Sequence, residues 1–114
     1  MPVWGLWLTG PDRFVFSCGD GARKAANIAA NPRVAISVDD SIEVVSVEGS
    51  ATRMDHIGDL AHEFAIKYET DPEKQALLEG FFADVTAFEV TPERAFAVIE
   101  REEEFSLNAT RWDW

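Results

Sequence analysis

Arg23 and Lys24 stand side by side in a chain that carries ten basic residues against twenty-one acidic ones. The stretch Phe14-Val-Phe-Ser-Cys-Gly-Asp-Gly-Ala-Arg-Lys-Ala-Ala-Asn-Ile-Ala-Ala-Asn-Pro-Arg33 reads as strand, glycine turn and helix. Both cations fall in the first turn of that helix. A helix N-terminus presents backbone N–H groups without intrahelical partners and the positive end of the dipole, so it favours anions. Two cations there oppose the dipole and repel each other, at a cost on the order of a few tenths of a kcal/mol per charge. An anion seated on them reverses the sign, and phosphate is the natural candidate. The plainer alternative is two good helix formers facing solvent, with Asp20 as the N-cap.

The remaining reactive side chains do not assemble into a catalytic pattern. Cys18 is a single cysteine, more often a small buried hydrophobe than a reactive thiol. His56 and His62 lie six apart, off the i, i+3 or i, i+4 spacing of a helical metal pair, so no zinc site is expected. Glu43 and Glu48, five apart on a strand, point to opposite faces and make a poor carboxylate pair. The sequence holds no dinucleotide fingerprint, Walker loop or nucleophile elbow, and Gly19-Asp-Gly21 is too short and acidic to act as a P-loop.

Positioning Arg23 and Lys24 falls to a mostly β scaffold. The 114 residues fit one domain, 1–114, and a hydrophobic fraction of 46% supports a core. No apolar run reaches the ~20 residues of a membrane span, and no secretory pattern opens the sequence. The lone cysteine fits a reducing cytoplasm. A net charge of −11 argues against nucleic-acid or anionic-membrane partners, so an anionic ligand must be small and locally held.

Strands are expected at Val3–Leu8 and Arg13–Ser17, joined by the turn Thr9–Asp12, then at Val34–Val38 and Ile42–Arg53 after a turn at Asp39–Ser41, with a bulge at Gly49. A short Ala-rich helix spans Gly21–Ala30 and ends at Asn31-Pro32. An amphipathic helix capped by Asp55 carries Ile57, Leu60, Ala61, Phe64 and Tyr68 on one face. A second runs from Pro72 to about Phe82 on Ala76, Leu77 and Phe81. Strands return at Val85–Val90 and Ala95–Glu100, separated by Thr91–Arg94. A solvated turn at Glu100–Glu104 and a last strand at Thr110–Trp112 complete the chain. The expected fold is mainly β (α+β): a small six-stranded barrel with flanking helices. The first strand is apolar, carries two tryptophans, and needs cover from a partner subunit or an upstream segment.

Pro2-Val-Trp-Gly-Leu-Trp7, Phe14–Cys18, Ala22–Arg33 and Val45-Ser-Val-Glu-Gly49, taken in order, resemble the pyridoxamine 5′-phosphate oxidase-like flavin-binding split-barrel family. Pro92–Ala97 and Ala109-Thr-Arg-Trp112 are similar to its deazaflavin-dependent actinobacterial branch. Family members begin with a helix and a strand upstream of the Pro-Val-Trp motif, so the resemblance implies that an N-terminal element is missing here.

The resemblance also implies a homodimer with cofactor in two grooves at the subunit interface, FMN or the deazaflavin coenzyme F420, its phosphate on Arg23 and Lys24. Val3, Trp4, Gly5 and Leu6 match the strand whose backbone flanks the flavin ring. Ser17 and Cys18 match the strand end that reaches the ring and the ribityl chain. Ala22 stands where oxidases proper often carry Ser, and Val44 where they carry Gln; both changes remove hydrogen-bonding groups. Arg111-Trp112 is either a contact to a cofactor tail or partner subunit, or a closing strand. The implied reaction is hydride transfer to or from a small molecule, with the cofactor doing the chemistry. Two alternatives belong to other classes: a non-catalytic flavin or deazaflavin carrier, and a haem-binding relative using His56 or His62.

Overall fold

The computed structural model describes residues 3–19, 21–39, 43–54, 57–83, 85–99 and 110–114. Along the chain run β1 (Gly5–Leu8), β2 (Arg13–Cys18), α1 (Arg23–Ala30), β3 (Arg33–Asp39), β4 (Glu43–Met54), α2 (Leu60–Tyr68), α3 (Pro72–Ala83), β5 (Thr86–Ile99) and β6 (Thr110–Asp113). The expected positions Asp20, Asp55, His56 and Glu100–Glu104 lie outside the described residues.

All six strands form one antiparallel sheet in the order β1-β2-β5-β4-β3. β6 joins β5 on the edge that β2 also uses: β2 pairs Thr86–Val90, and β6 pairs Arg94–Ala97. The expected mainly β, α+β split barrel is the observed architecture, with β1 and β3 at the two ends of the strand order.

Alternation along β2 sorts the core into two layers. Val15 faces α2 and α3, with Leu6, Ile57, Ala61, Phe64, Phe82 and Ala87. Phe16 and Cys18 face the opposite way and pack with Ala25 of α1, Ala51, Phe88 and Val90. α1 can lie close to the sheet because the residue it buries is Ala25. Its last turn closes with the Asn31 N–H donating to the Asn27 carbonyl at 2.8 Å, and Pro32 prevents continuation.

Three expectations need correction. The two strands read at Val85–Val90 and Ala95–Glu100 are one 14-residue strand, β5. Pro92 does not interrupt it, because it sits at a bulge, where a missing N–H costs little. Gly49 pairs Pro92 and Glu48 pairs Arg94, so Glu93 is the extra residue. The expected bulge at Gly49 is therefore present, and a Cβ on Gly49 would stand 2.2 Å from the Thr91 carbonyl oxygen. The second correction concerns α3, whose buried side is Phe82 with Leu78 packed beside it. Leu77 and Phe81, expected inside, are 77% and 59% exposed. Third, α2 starts at Leu60, after a turn in which Gly58 takes φ 59° and Asp59 holds the N-cap position. Ile57 precedes the helix yet remains buried.

Candidate functional site

Between the two free margins of the sheet lies an open groove of about 950 Å³. One wall is Val3, Gly5, Phe14 and Phe16 from the β1–β2 hairpin; the other is β3 from Arg33 to Val38. α1 forms the floor with Lys24, Asn27, Ile28 and Asn31, which repeat at i, i+3, i+4 and i+7 and so share one face. The end of α2 contributes Lys67 and Tyr68.

Charge is distributed unevenly over this surface. Three of the ten basic residues line the groove, and none of its described lining residues is Asp or Glu. In a chain of net charge −11, that is a local reversal of sign suited to a small anion. α1 begins at Ala22 in extended conformation with no side-chain capping bond and no acid in its first turn. The N-cap position is held by Ala22, two residues beyond the expected Asp20, which lies outside the described residues.

The β1 wall is held from outside the sheet. The Gly5 N–H donates to the Tyr68 hydroxyl at 2.8 Å, and that hydroxyl donates back to the Gly5 carbonyl at 3.0 Å. Lys67 Nζ donates to the same carbonyl at 2.5 Å and lies 5.0 Å from the centre of the Tyr68 ring. Gly5 also lacks room for a side chain: a Cβ would stand 2.1 Å from the tip of the Phe14 ring.

At the far end of α1, Arg33 Nη1 donates to both carboxylate oxygens of Glu93, at 2.6 and 2.5 Å, and Ser50 adds a bond at 3.3 Å. The Arg33 hydrogen bond and charge hold the Glu93 carboxyl below its usual 4.5, and Glu93 in turn pushes the Arg33 guanidinium up. The bulge thus ties the start of β3 to β5 at the groove margin.

The residues singled out from sequence divide. Lys24, Val3 and Gly5 line the groove, whereas Arg23 is exposed and outside the lining. Trp4 turns to the other side of β1, its ring stacked 5.1 Å from Tyr68 and 5.2 Å from Phe82. Leu6 is buried against α2 and α3, and Cys18 is buried beside Phe16. Ser17 pairs Ala87 within the sheet, and Val44 pairs Asp39 beyond the groove lining. Sequence reading passed over Asn27, Asn31, Arg33, Lys67 and Tyr68. The asparagines carried a usable signal, the one polar stripe on an Ala-rich helix. Lys67 and Tyr68 carried none, because their approach to Gly5 spans more than sixty residues of chain.

Arg111 and Trp112 sit on β6; Arg111 bonds Asp113 at 3.3 Å and lies 5.9 Å from the Phe96 ring. They close the sheet and do not line the groove.

Comparison with known proteins places the chain. A solved structure from Clostridium acetobutylicum, described as a protein related to general stress protein 26 of B. subtilis (pyridoxinephosphate oxidase family), has a similar fold, with a TM-score of 0.54 and 16% sequence identity. The likeness covers 89% of this chain and 66% of that one, so the chain spans just under two thirds of its structural relative. No curated protein sequence matches. The sequence profile of pyridoxamine 5′-phosphate oxidase matches residues 2–99. That span takes in both groove walls, α1 and the end of α2, and by it the chain belongs to the pyridoxamine 5′-phosphate oxidase family.

Proposed function

We propose that the groove binds FMN and that the protein is a flavin-dependent oxidoreductase acting on a small molecule. The family generally binds FMN or related flavins. The observation that carries the reading is a groove whose described lining residues include three cations and no acid, opening at the start of α1, where no side chain caps the helix. The residues present fit such a ligand. Lys24 and the first turn of α1 suit its phosphate, Asn27 and Asn31 offer donors and acceptors along a polyol chain, and Phe14 and Phe16 supply an apolar wall for a ring system. Bound there, the flavin supplies hydride transfer; the protein supplies orientation, exclusion of water and charge. This accords with the absence of an acid–base constellation from the sequence reading.

The proposal extends to a homodimer in the cytoplasm. Ile36, Val47, Ala95 and Trp112 run across one face of the sheet, followed by Val38, Val45 and Ala97 on that face. Val38 and Val45 are 69% and 41% exposed, an apolar margin beside the groove suited to a second copy.

Titration of the purified protein with FMN, followed by flavin fluorescence, tests the binding. Micromolar affinity is expected, with Lys24→Ala weakening it at least tenfold and Arg23→Ala less, since only Lys24 lines the groove. Unchanged affinity in the double variant would remove the phosphate assignment. Parallel titration with the deazaflavin coenzyme distinguishes the two cofactors, and binding of either without turnover by any reductant would favour the carrier.

A further inference from the structure

We infer that Lys67 is the residue that sets the redox poise of the flavin in this groove, and that Tyr68 positions the strand it rests on. The inference deepens the flavin reading and rests on it. Among the described residues, no acid lines the groove and Lys67 has no carboxylate within ion-pair distance. Arg33, by contrast, is occupied by Glu93. Among the described residues, Lys67 is therefore the cation on the β1 side of the groove that is not held in an ion pair.

Its position is fixed twice over, by the Gly5 carbonyl at 2.5 Å and by the Tyr68 ring at 5.0 Å. The tyrosine hydroxyl bonds both the N–H and the carbonyl of Gly5, standing in for a neighbouring strand at this margin of the sheet. Gly5 lies against the tip of the Phe14 ring, part of the apolar wall proposed above for the flavin ring, and Lys24 lies at the proposed phosphate end on α1. The Lys67 ammonium consequently lies on the ring side of the groove. Reduction adds negative charge to a flavin ring, and a fixed cation beside it favours the reduced form. A ligand filling the groove excludes water, which strengthens this effect.

The test measures the midpoint potential of FMN bound to the full chain, by equilibration with a reference dye, at low and at high salt. Lys67→Met is expected to bind oxidised FMN within a few-fold of wild type. The ratio of its affinities for reduced and oxidised flavin should fall on the order of tenfold, equivalent to about 30 mV for two electrons. Lys67→Arg restores the charge and the potential. Tyr68→Phe keeps the ring under the ammonium, so its potential stays near wild type while thermal stability drops. The wild-type potential falls with added salt, and less so in Lys67→Met. An unaltered potential in Lys67→Met overturns the inference. So does an equal fall in Tyr68→Phe, which would make strand position, not charge, the cause. A wild-type protein that binds no flavin fails at the prior titration and overturns the flavin reading itself.

Discussion

Glu93 shows how one residue at a bulge can join distant parts of the chain. As the extra residue between Pro92 and Arg94 it escapes the ladder, its carboxylate reaches Arg33 and Ser50, and its carbonyl accepts from the Trp114 N–H at 3.0 Å. The Arg33 hydrogen bond lowers its folded pKa from the ordinary 4.5, so the ion pair stabilises the fold above that pH. As pH falls through the depressed folded value, Glu93 is protonated and the contribution is lost. Glu93→Gln should therefore be less stable than wild type at neutral pH. The difference should shrink in acid, as read by thermal melts from pH 7 to pH 3. A constant difference would show that the pair contributes through shape and not charge. Both side chains are partly exposed, so the effect is modest and salt-sensitive.

At the scale of elements, α3 shows a helix orienting by its partners. Phe82 is fully buried and its ring stacks 4.6 Å from Phe64 of α2, while its neighbour Phe81 meets it edge-on from the solvent side. Phe82→Ala should cost about 3–5 kcal/mol in denaturant unfolding, and Phe81→Ala less than about 1 kcal/mol. Equal losses would mean that Phe81 is covered in solution. α1 makes a complementary case: its Ala-rich face permits close packing on the sheet, which brings the polar stripe of Lys24, Asn27 and Asn31 to the floor of the groove.

For the whole molecule, the sheet stops short of closing, and the groove lies between β1 and β3. The β1 margin is capped by side chains of α2, whereas the β3–β4 margin leaves Val38 and Val45 exposed. Sedimentation velocity should report a dimer for wild type and a monomer for Val45→Asp, with flavin affinity lost in parallel if the partner helps to close the groove. A monomeric wild type would sink the homodimer proposal. Among the described residues, no helix is long and apolar enough to cross a membrane.

Local chemistry determined most of the elements and the candidate anion site. Turn residues, alternation and the Asn-Pro stop set β1 to β4 and α1 close to their observed limits. The Arg-Lys pair stands on the helix that floors the groove, and Lys24 lines it. These signals act over a few residues, where backbone sterics and periodicity suffice. Tertiary structure decided the rest. Pro92 became part of a continuous strand because the register shift opposite Gly49 tolerates a residue with no N–H to donate. α3 chose Phe82 over Phe81 because only one face could meet Phe64. Lys67 and Tyr68 reached Gly5 because packing of α2 against β1 carried them there. Each of these depends on which surfaces meet once the chain has folded back on itself, and contact between residues sixty apart leaves no local periodicity to read.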